Sequence, residues 1–161
     1  IRLSLVGSEM CIRDSANTTK LNKPGMALSR LDGVHALTDV TGFGLLGHLL
    51  ELARGAKLTA TLQMPAIPLL PNVLQLAGQG CITGASGRNW EAYGHDVSLA
   101  DGVSAVQKAL LSDPQTSGGL LVACDPASVD EVLALFQREG FAHAAVIGEM
   151  SAGAARVEVQ G

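Results

Sequence analysis

The chain has 161 residues, 47% of them hydrophobic and 16% charged, with a formal net charge of −4, a composition that predicts one soluble globular domain with a real core. Nineteen glycines, six prolines and only 3% aromatics favour a loop-rich mixture of helix and strand over a helical bundle. The acidic balance, without a Lys/Arg run or rings for stacking, argues against a nucleic-acid surface, and no apolar run reaches the ~20 residues of a membrane span.

Residues 1–15, IRLSLVGSEMCIRDS, carry neither a helical nor a strand period and lack the basic start, apolar stretch and cleavage site of a signal peptide. VGSEMCIRDS is similar to a translated sequencing adapter, so 1–15 is expected to be a non-native or disordered leader and 16–161 the domain. VHALTDV (34–40) is apolar and β-branched, which predicts a buried strand ending at Asp39. From Gly42 onward, Phe43, Leu46, Leu50 and Ala53 recur at helical spacing, with His48, Glu51 and Arg54 on the polar side, which predicts a helix stopped by Gly55. KLTATLQM (57–64) alternates as a strand until Pro65 breaks it. A short helix is expected from near Pro71, with Gly78 and Gly80 as stop signals.

Residues 81–101 are rich in Gly, Ser and polar side chains without a sustained period, which predicts a long loop, functional or mobile. A helix over GVSAVQKALL (102–111), a turn over SDPQTSGG (112–119), a strand over LLVACD (120–125) and a helix over 126–140 closed by Gly140 follow. AHAAVIGEM (142–150) and ARVEVQ (155–160) read as the last two strands. Helices and strands mix without strict alternation, so the expected fold class is α+β, a layered sandwich with helices packed on a mixed sheet.

Gly42, Gly44 and Gly47 have the G-x-G-x-x-G spacing of a dinucleotide fingerprint, which also requires an acidic residue about twenty positions on. No Asp or Glu lies between Glu51 and Glu91, and Asp39, just before the turn, would repel a bare pyrophosphate. A divalent cation reverses that objection, because Mg²⁺ takes one or two carboxylates together with phosphate oxygens and water. Asp39, flanked by Thr38 and Thr41, could supply such an oxygen; it could equally cap the following helix, and spacing alone leaves both open.

In SDPQTSGG, Thr116 and Ser117 put hydroxyls on a glycine-rich turn, which could line a phosphate or simply make a tight connection. GRNW (87–90) offers Arg88 as an anion partner and Asn89 as a hydrogen-bonding group. His35, His48 and His143 have no second histidine at metal-ligand spacing and are expected to be structural or surface residues; His95 is undecided. Cys11, Cys81 and Cys124 form no C-x-x-C pair, so neither a disulfide framework nor a zinc site is indicated and a reducing cytoplasm fits best.

Five segments then carry a resemblance: LNKPG (21–25), GVHALTDVTGFGLLGHLLELARGA (33–56), AIPLLP (66–71), GRNW (87–90) and SDPQTSGGLL (112–121). In this order they resemble the C-terminal half of selenophosphate synthetase (selenide, water dikinase), within the aminoimidazole ribonucleotide synthetase-like superfamily. The resemblance implies the fold of the C-terminal domain of aminoimidazole ribonucleotide synthetase. It also implies a reaction in which ATP, selenide and water give selenophosphate, phosphate and AMP, with Mg²⁺ as cofactor, in an enzyme that is a homodimer when intact.

In that family the N-terminal ATP-binding domain holds the nucleophile, a nearby lysine and most metal-binding aspartates. None of those segments occurs here, and Cys11 lacks the context of the family nucleophile, so no catalytic residue is carried over. One metal-binding aspartate falls on Asp39, with Asn89, Thr116 and Ser117 as cleft neighbours, and the chain by itself is expected to be inactive. Two alternatives stand beside this reading: the matching domain of a purine-pathway ribonucleotide synthetase, which the wording of DPQTSGGLL disfavours, and a noncatalytic binding domain.

Overall fold

The computed structural model describes residues 18–161; the leader expected over 1–15 lies outside the described residues, as does Cys11. In chain order the elements are α1 (Pro24–Leu28), β1 (Val34–Asp39), α2 (Gly44–Ala56), β2 (Leu58–Gln63), α3 (Val73–Gly78), α4 (Gly84–Tyr93), β3 (Val97–Leu99), α5 (Ala105–Leu111), β4 (Leu120–Cys124), α6 (Val129–Arg138), β5 (Gly148–Ala152) and β6 (Arg156–Gln160). Short 3₁₀ turns occupy Met64–Ala66, Gly94–Asp96 and Pro126–Ser128.

Four strands form a mixed sheet in the order β3-β6-β2-β5, with β2 parallel to β6, antiparallel to β5, and β3 parallel to β6. β1 and β4 stand apart as an antiparallel two-stranded ribbon. The layered α+β architecture is therefore as expected, with the strands divided between two sheets.

Each sheet has its own apolar packing. Leu46, Leu49, Leu50 and Ala53 follow the i, i+3, i+4, i+7 pattern and bury one face of α2 on β2 and β6, against Ala60, Leu62, Val157 and Val159. Leu46, Leu50, Leu62, Val157 and Val159 are at most 1% exposed, and burying a leucine to that degree stabilises a fold by about 1.5–3 kcal/mol. Beside the ribbon, Leu28 of α1 joins Val132, Leu135 and Phe136 of α6 in a second cluster that takes in Leu37, Leu120 and Val122 from the strands. An isolated two-stranded ribbon is marginal in water; α1 and α6 back β1 and β4 through this cluster, while Leu121 of β4 and the adjoining Val40 are buried in the α2 cluster. Asn22, just before α1, adds a tie by donating from Nδ2 to the carbonyl of Gly118 at 2.9 Å.

Three expectations need correction. The stretch 81–101 is not a loop: Thr83 caps α4, its hydroxyl accepting from the Ser86 backbone N–H, and the 3₁₀ turn and β3 follow. Glycine and serine are poor helix formers, but both Thr83 and Ser86 donate their hydroxyls to Asp113 Oδ1 at 2.8 Å, so α4 is anchored from a distant turn. The strand expected over 142–150 forms later, over Gly148–Ala152, where Gly148 pairs with Leu62; the preceding residues connect α6 to it, with Phe141 edge-on to Phe136. Finally, Gly55 does not stop α2, which continues to Ala56 and ends where Lys57 turns left-handed, at φ +56, and donates back to the Ala53 and Arg54 carbonyls.

Candidate functional site

The two glycine-bearing turns, TDVTGFG and SDPQTSGG, meet edge to edge. Asp39, the last residue of β1, pairs with Leu120, the first of β4. Beyond that pair, Val40 N–H donates to Gly119 O at 2.9 Å, and the Thr41 carbonyl accepts from Gly44 at 3.1 Å and Gln115 at 3.0 Å. Gly118 packs directly on the Val40 carbonyl. Gly44, at φ +69, lies so near Ser112 that a β-carbon would fall 2.7 Å from its carbonyl carbon. Positive φ and this close approach both demand glycine at 44. A β-carbon on Gly47 would fall 2.5 Å from that of Phe43, whereas Gly42 has nothing within 4 Å of the equivalent point; packing thus explains two of the three glycines without a dinucleotide.

The Asp39 carboxylate is exposed and enters no hydrogen bond or ion pair among the described residues. Phe43, not Asp39, occupies the N-cap position of α2, and no side chain caps that helix. Of the two roles left open for Asp39, capping is therefore not the one adopted, and both carboxylate oxygens are available. Thr116 and Ser117 are exposed on the neighbouring turn, Ser117 with a left-handed backbone at φ +55. Asn89 is committed differently: its Nδ2 donates to the carbonyls of Gly42 and Ser112, both at 2.9 Å. The amide braces the two turns with both its hydrogens, leaving only its oxygen for any ligand. Arg88 is exposed and in no ion pair among the described residues.

His48 departs from the expected polar face of α2. Its side chain is 9% exposed, with Nε2 3.0 Å from Thr41 Oγ1 and Nδ1 3.0 Å from Glu51 Oε2. Phe43, expected on the buried stripe, is instead 52% exposed and tilts its ring over His48 at 5.7 Å. Of the other histidines, His35 pairs with Asp125 at 2.9 Å on the surface, His143 is exposed and His95 lies 3.7 Å from Asp96. Tyr93 closes the rear of the site by donating its hydroxyl to Phe43 O at 2.6 Å. Burial pushes its phenol above the ordinary range, with Ser112 and the Gly47 backbone pulling the other way, so at neutral pH it is a donor. The fully buried Ser112 hydroxyl beside it lacks a hydrogen bond of normal geometry.

Sequence reasoning missed Asp113, which anchors α4, and the His48 contacts. His48 and Glu51 stand at helical i, i+3 spacing and could have been paired from the sequence; Thr41 could not, because its approach depends on the turn.

As a cation site the arrangement is partial. Among the described residues no three His, Cys, Asp or Glu side chains gather where they could hold a metal. What Asp39 offers is one hard, unpaired carboxylate at an exposed seam. That suits Mg²⁺, which takes few protein carboxylates and keeps waters and phosphate oxygens, and it suits zinc poorly, since zinc wants several nitrogen or sulfur ligands. Two surface hollows, of about 240 Å³ beside Lys20 and about 250 Å³ between α4 and α5, do not include Asp39, Thr116 or Ser117. Among the described residues, no helix is long and apolar enough to cross a membrane.

Comparison with known proteins converges on one family. The chain is 68% identical over 144 residues to a protein of Burkholderia pseudomallei (strain K96243) named selenide, water dikinase; the match covers 89% of this chain and 41% of that protein. A protein of the same name from Rhizobium meliloti (strain 1021) is 52% identical over 143 residues, with the same two coverages. The chain thus spans about 41% of the length of these relatives. Among solved structures, E. coli HypE, a hydrogenase maturation protein, superposes with a TM-score of 0.59 at 21% identity, over 86% of this chain and 35% of HypE. The protein tt0281 from Thermus thermophilus also gives 0.59, at 22% identity, over 98% of this chain and 41% of that one. Likeness at those identities shows the shared fold. The model of the family described as AIR synthase related protein, C-terminal domain, matches residues 12–160, and the chain belongs to that family.

Proposed function

We propose that this chain is the C-terminal part of an ATP- and Mg²⁺-dependent selenophosphate synthetase, a cytoplasmic phosphotransferase that turns ATP, selenide and water into selenophosphate, phosphate and AMP. The observation that carries the reading is the unpaired Asp39 carboxylate at the seam of the two turns, in a chain 68% identical to a relative named for that reaction. Magnesium, when bound, neutralises phosphate charge during phosphoryl transfer.

This chain's own part is positional. Asp39 supplies one carboxylate oxygen from the end of a strand, where the β1–β4 ladder fixes its backbone. Thr116 and Ser117 offer hydroxyls from the adjoining turn toward the cleft, and Asn89 keeps the turns in register. One carboxylate cannot hold the ions that a triphosphate needs. The nucleophile and remaining acidic ligands therefore come from the N-terminal portion of the enzyme, which dimerises when intact, and the present chain alone is inactive.

The test joins residues 16–161 to the N-terminal portion of the B. pseudomallei relative and measures selenide-dependent formation of AMP. Activity is expected, with a loss of about 100-fold on Asp39→Asn, the scale typical of removing one group that stabilises transition-state charge, and with an unchanged circular dichroism spectrum. A folded but inactive fusion, or an Asp39→Asn variant as active as its parent, overturns the reading.

A further inference from the structure

Thr41, His48 and Glu51 make a connected set that the proposed chemistry leaves unused. The imidazole of His48 is enclosed while the Glu51 carboxylate, 55% exposed, reaches it from the solvent side. The contacts on the two ring nitrogens are both 3.0 Å. A carboxylate has no hydrogen to give, so a neutral ring facing Glu51 carries its hydrogen on Nδ1. Nε2 is then a bare lone pair, and the hydrogen between it and Thr41 must come from the threonine hydroxyl. Having given its only hydrogen to His48, Thr41 Oγ1 has only lone pairs left for any further partner.

Thr41 stands two residues beyond Asp39, and its carbonyl is held by the N–H groups of Gly44 and Gln115, so the backbone carrying Oγ1 is fixed to both sides of the seam. We propose that Glu51 and His48 are positioning residues that lock Thr41 Oγ1 as an acceptor, and that Thr41 receives a hydrogen from water on the cation held by Asp39. The same lock makes Thr41 a poor partner for a bare phosphate oxygen, which would need a donor. This rests on the reading of Asp39 as a magnesium ligand. It follows the general pattern in which outer groups orient a metal's surroundings through hydrogen bonds.

Two measurements test it. In the ¹⁵N NMR spectrum of the chain at neutral pH, His48 is expected to show a protonated Nδ1 and an unprotonated Nε2 whose resonance moves on Thr41→Val; a protonated Nε2 overturns the proposal. In the joined enzyme, Thr41→Val is expected to raise the Mg²⁺ concentration for half-maximal AMP formation by about 10-fold. The KM for ATP at saturating Mg²⁺ should hold, and Thr41→Ser should restore the parent value. If Asp39→Asn raises the Mg²⁺ requirement while Thr41→Val leaves it unchanged, this proposal fails alone. If Asp39→Asn itself has no effect, or the joined enzyme is inactive, the underlying reading fails and takes this one with it.

Discussion

Gly118 lies against the carbonyl of Val40 so closely that a β-carbon at 118 would fall 1.8 Å from the oxygen. Gly119, the next residue, has nothing within 4 Å of the equivalent point. The pair separates a glycine that the seam requires from one that it tolerates. Gly118→Ala is expected to lower stability by about 1–3 kcal/mol, the usual cost of overpacking, seen as an earlier urea midpoint. Gly119→Ala should stay within about 0.5 kcal/mol of the parent. Equal midpoints for the two variants would mean that the turns do not meet as described.

Asn89 allows a test of donor against acceptor. Its amide is the donor to two carbonyls, so Asn89→Ala should cost about 1–3 kcal/mol by leaving them unsatisfied. Asn89→Asp should cost more, because it sets a carboxylate against two acceptors. Thermal unfolding of the two variants gives the order directly, and an aspartate tolerated better than alanine would remove the brace from the account.

The 3₁₀ turn after α4 carries a pH dependence of known sign. The Arg54 guanidinium, 2.5 Å from Asp96, holds that carboxyl below the ordinary carboxylate range; its hydrogen bond is the chief cause, partly opposed by desolvation and assisted by the charges of His95 and Arg54. A carboxyl lowered in the folded state contributes stability above its unfolded pKa of about 4, and loses it as pH falls through the lower folded value. In an NMR titration of the side-chain carboxyl, Arg54→Ala should move the Asp96 midpoint upward toward the ordinary value. The effect on stability should be small and confined to acid, since the pair is solvent-exposed; an unmoved midpoint would show that the guanidinium is not the cause.

What could be read in advance depended on whether a signal was local. The alternation of Leu58 to Gln63 and the spacing of Leu46, Leu50 and Ala53 are local, and β2 and α2 form there. Helix α4 escaped because Gly84, Ser86 and Gly87 favour other conformations, and its support comes from Asp113, about thirty residues away. AHAAVIG failed in the opposite sense: its apolar residues suit a strand, but pairing with β2 starts only at Gly148. At the site, the strand period was enough to put Asp39 at a β1 terminus. Its freedom from partners, the commitment of Asn89 to carbonyls and the burial of His48 arise from how two turns dock, and no spacing encodes that.

The tie from Asn22 to Gly118 and the burial of Leu28 beneath the ribbon decide where this polypeptide can be shortened. A cut placed after α1, at the first residue of β1, would leave every proposed ligand and both turns intact on paper. It would also remove Leu28 from the cluster it forms with Val132, Leu135 and Phe136 against the ribbon, and free the Gly118 carbonyl. Asp39 would then sit on a ribbon with thinner backing on its α6 side, so the practical start of this unit lies before Asn22, well upstream of any proposed ligand.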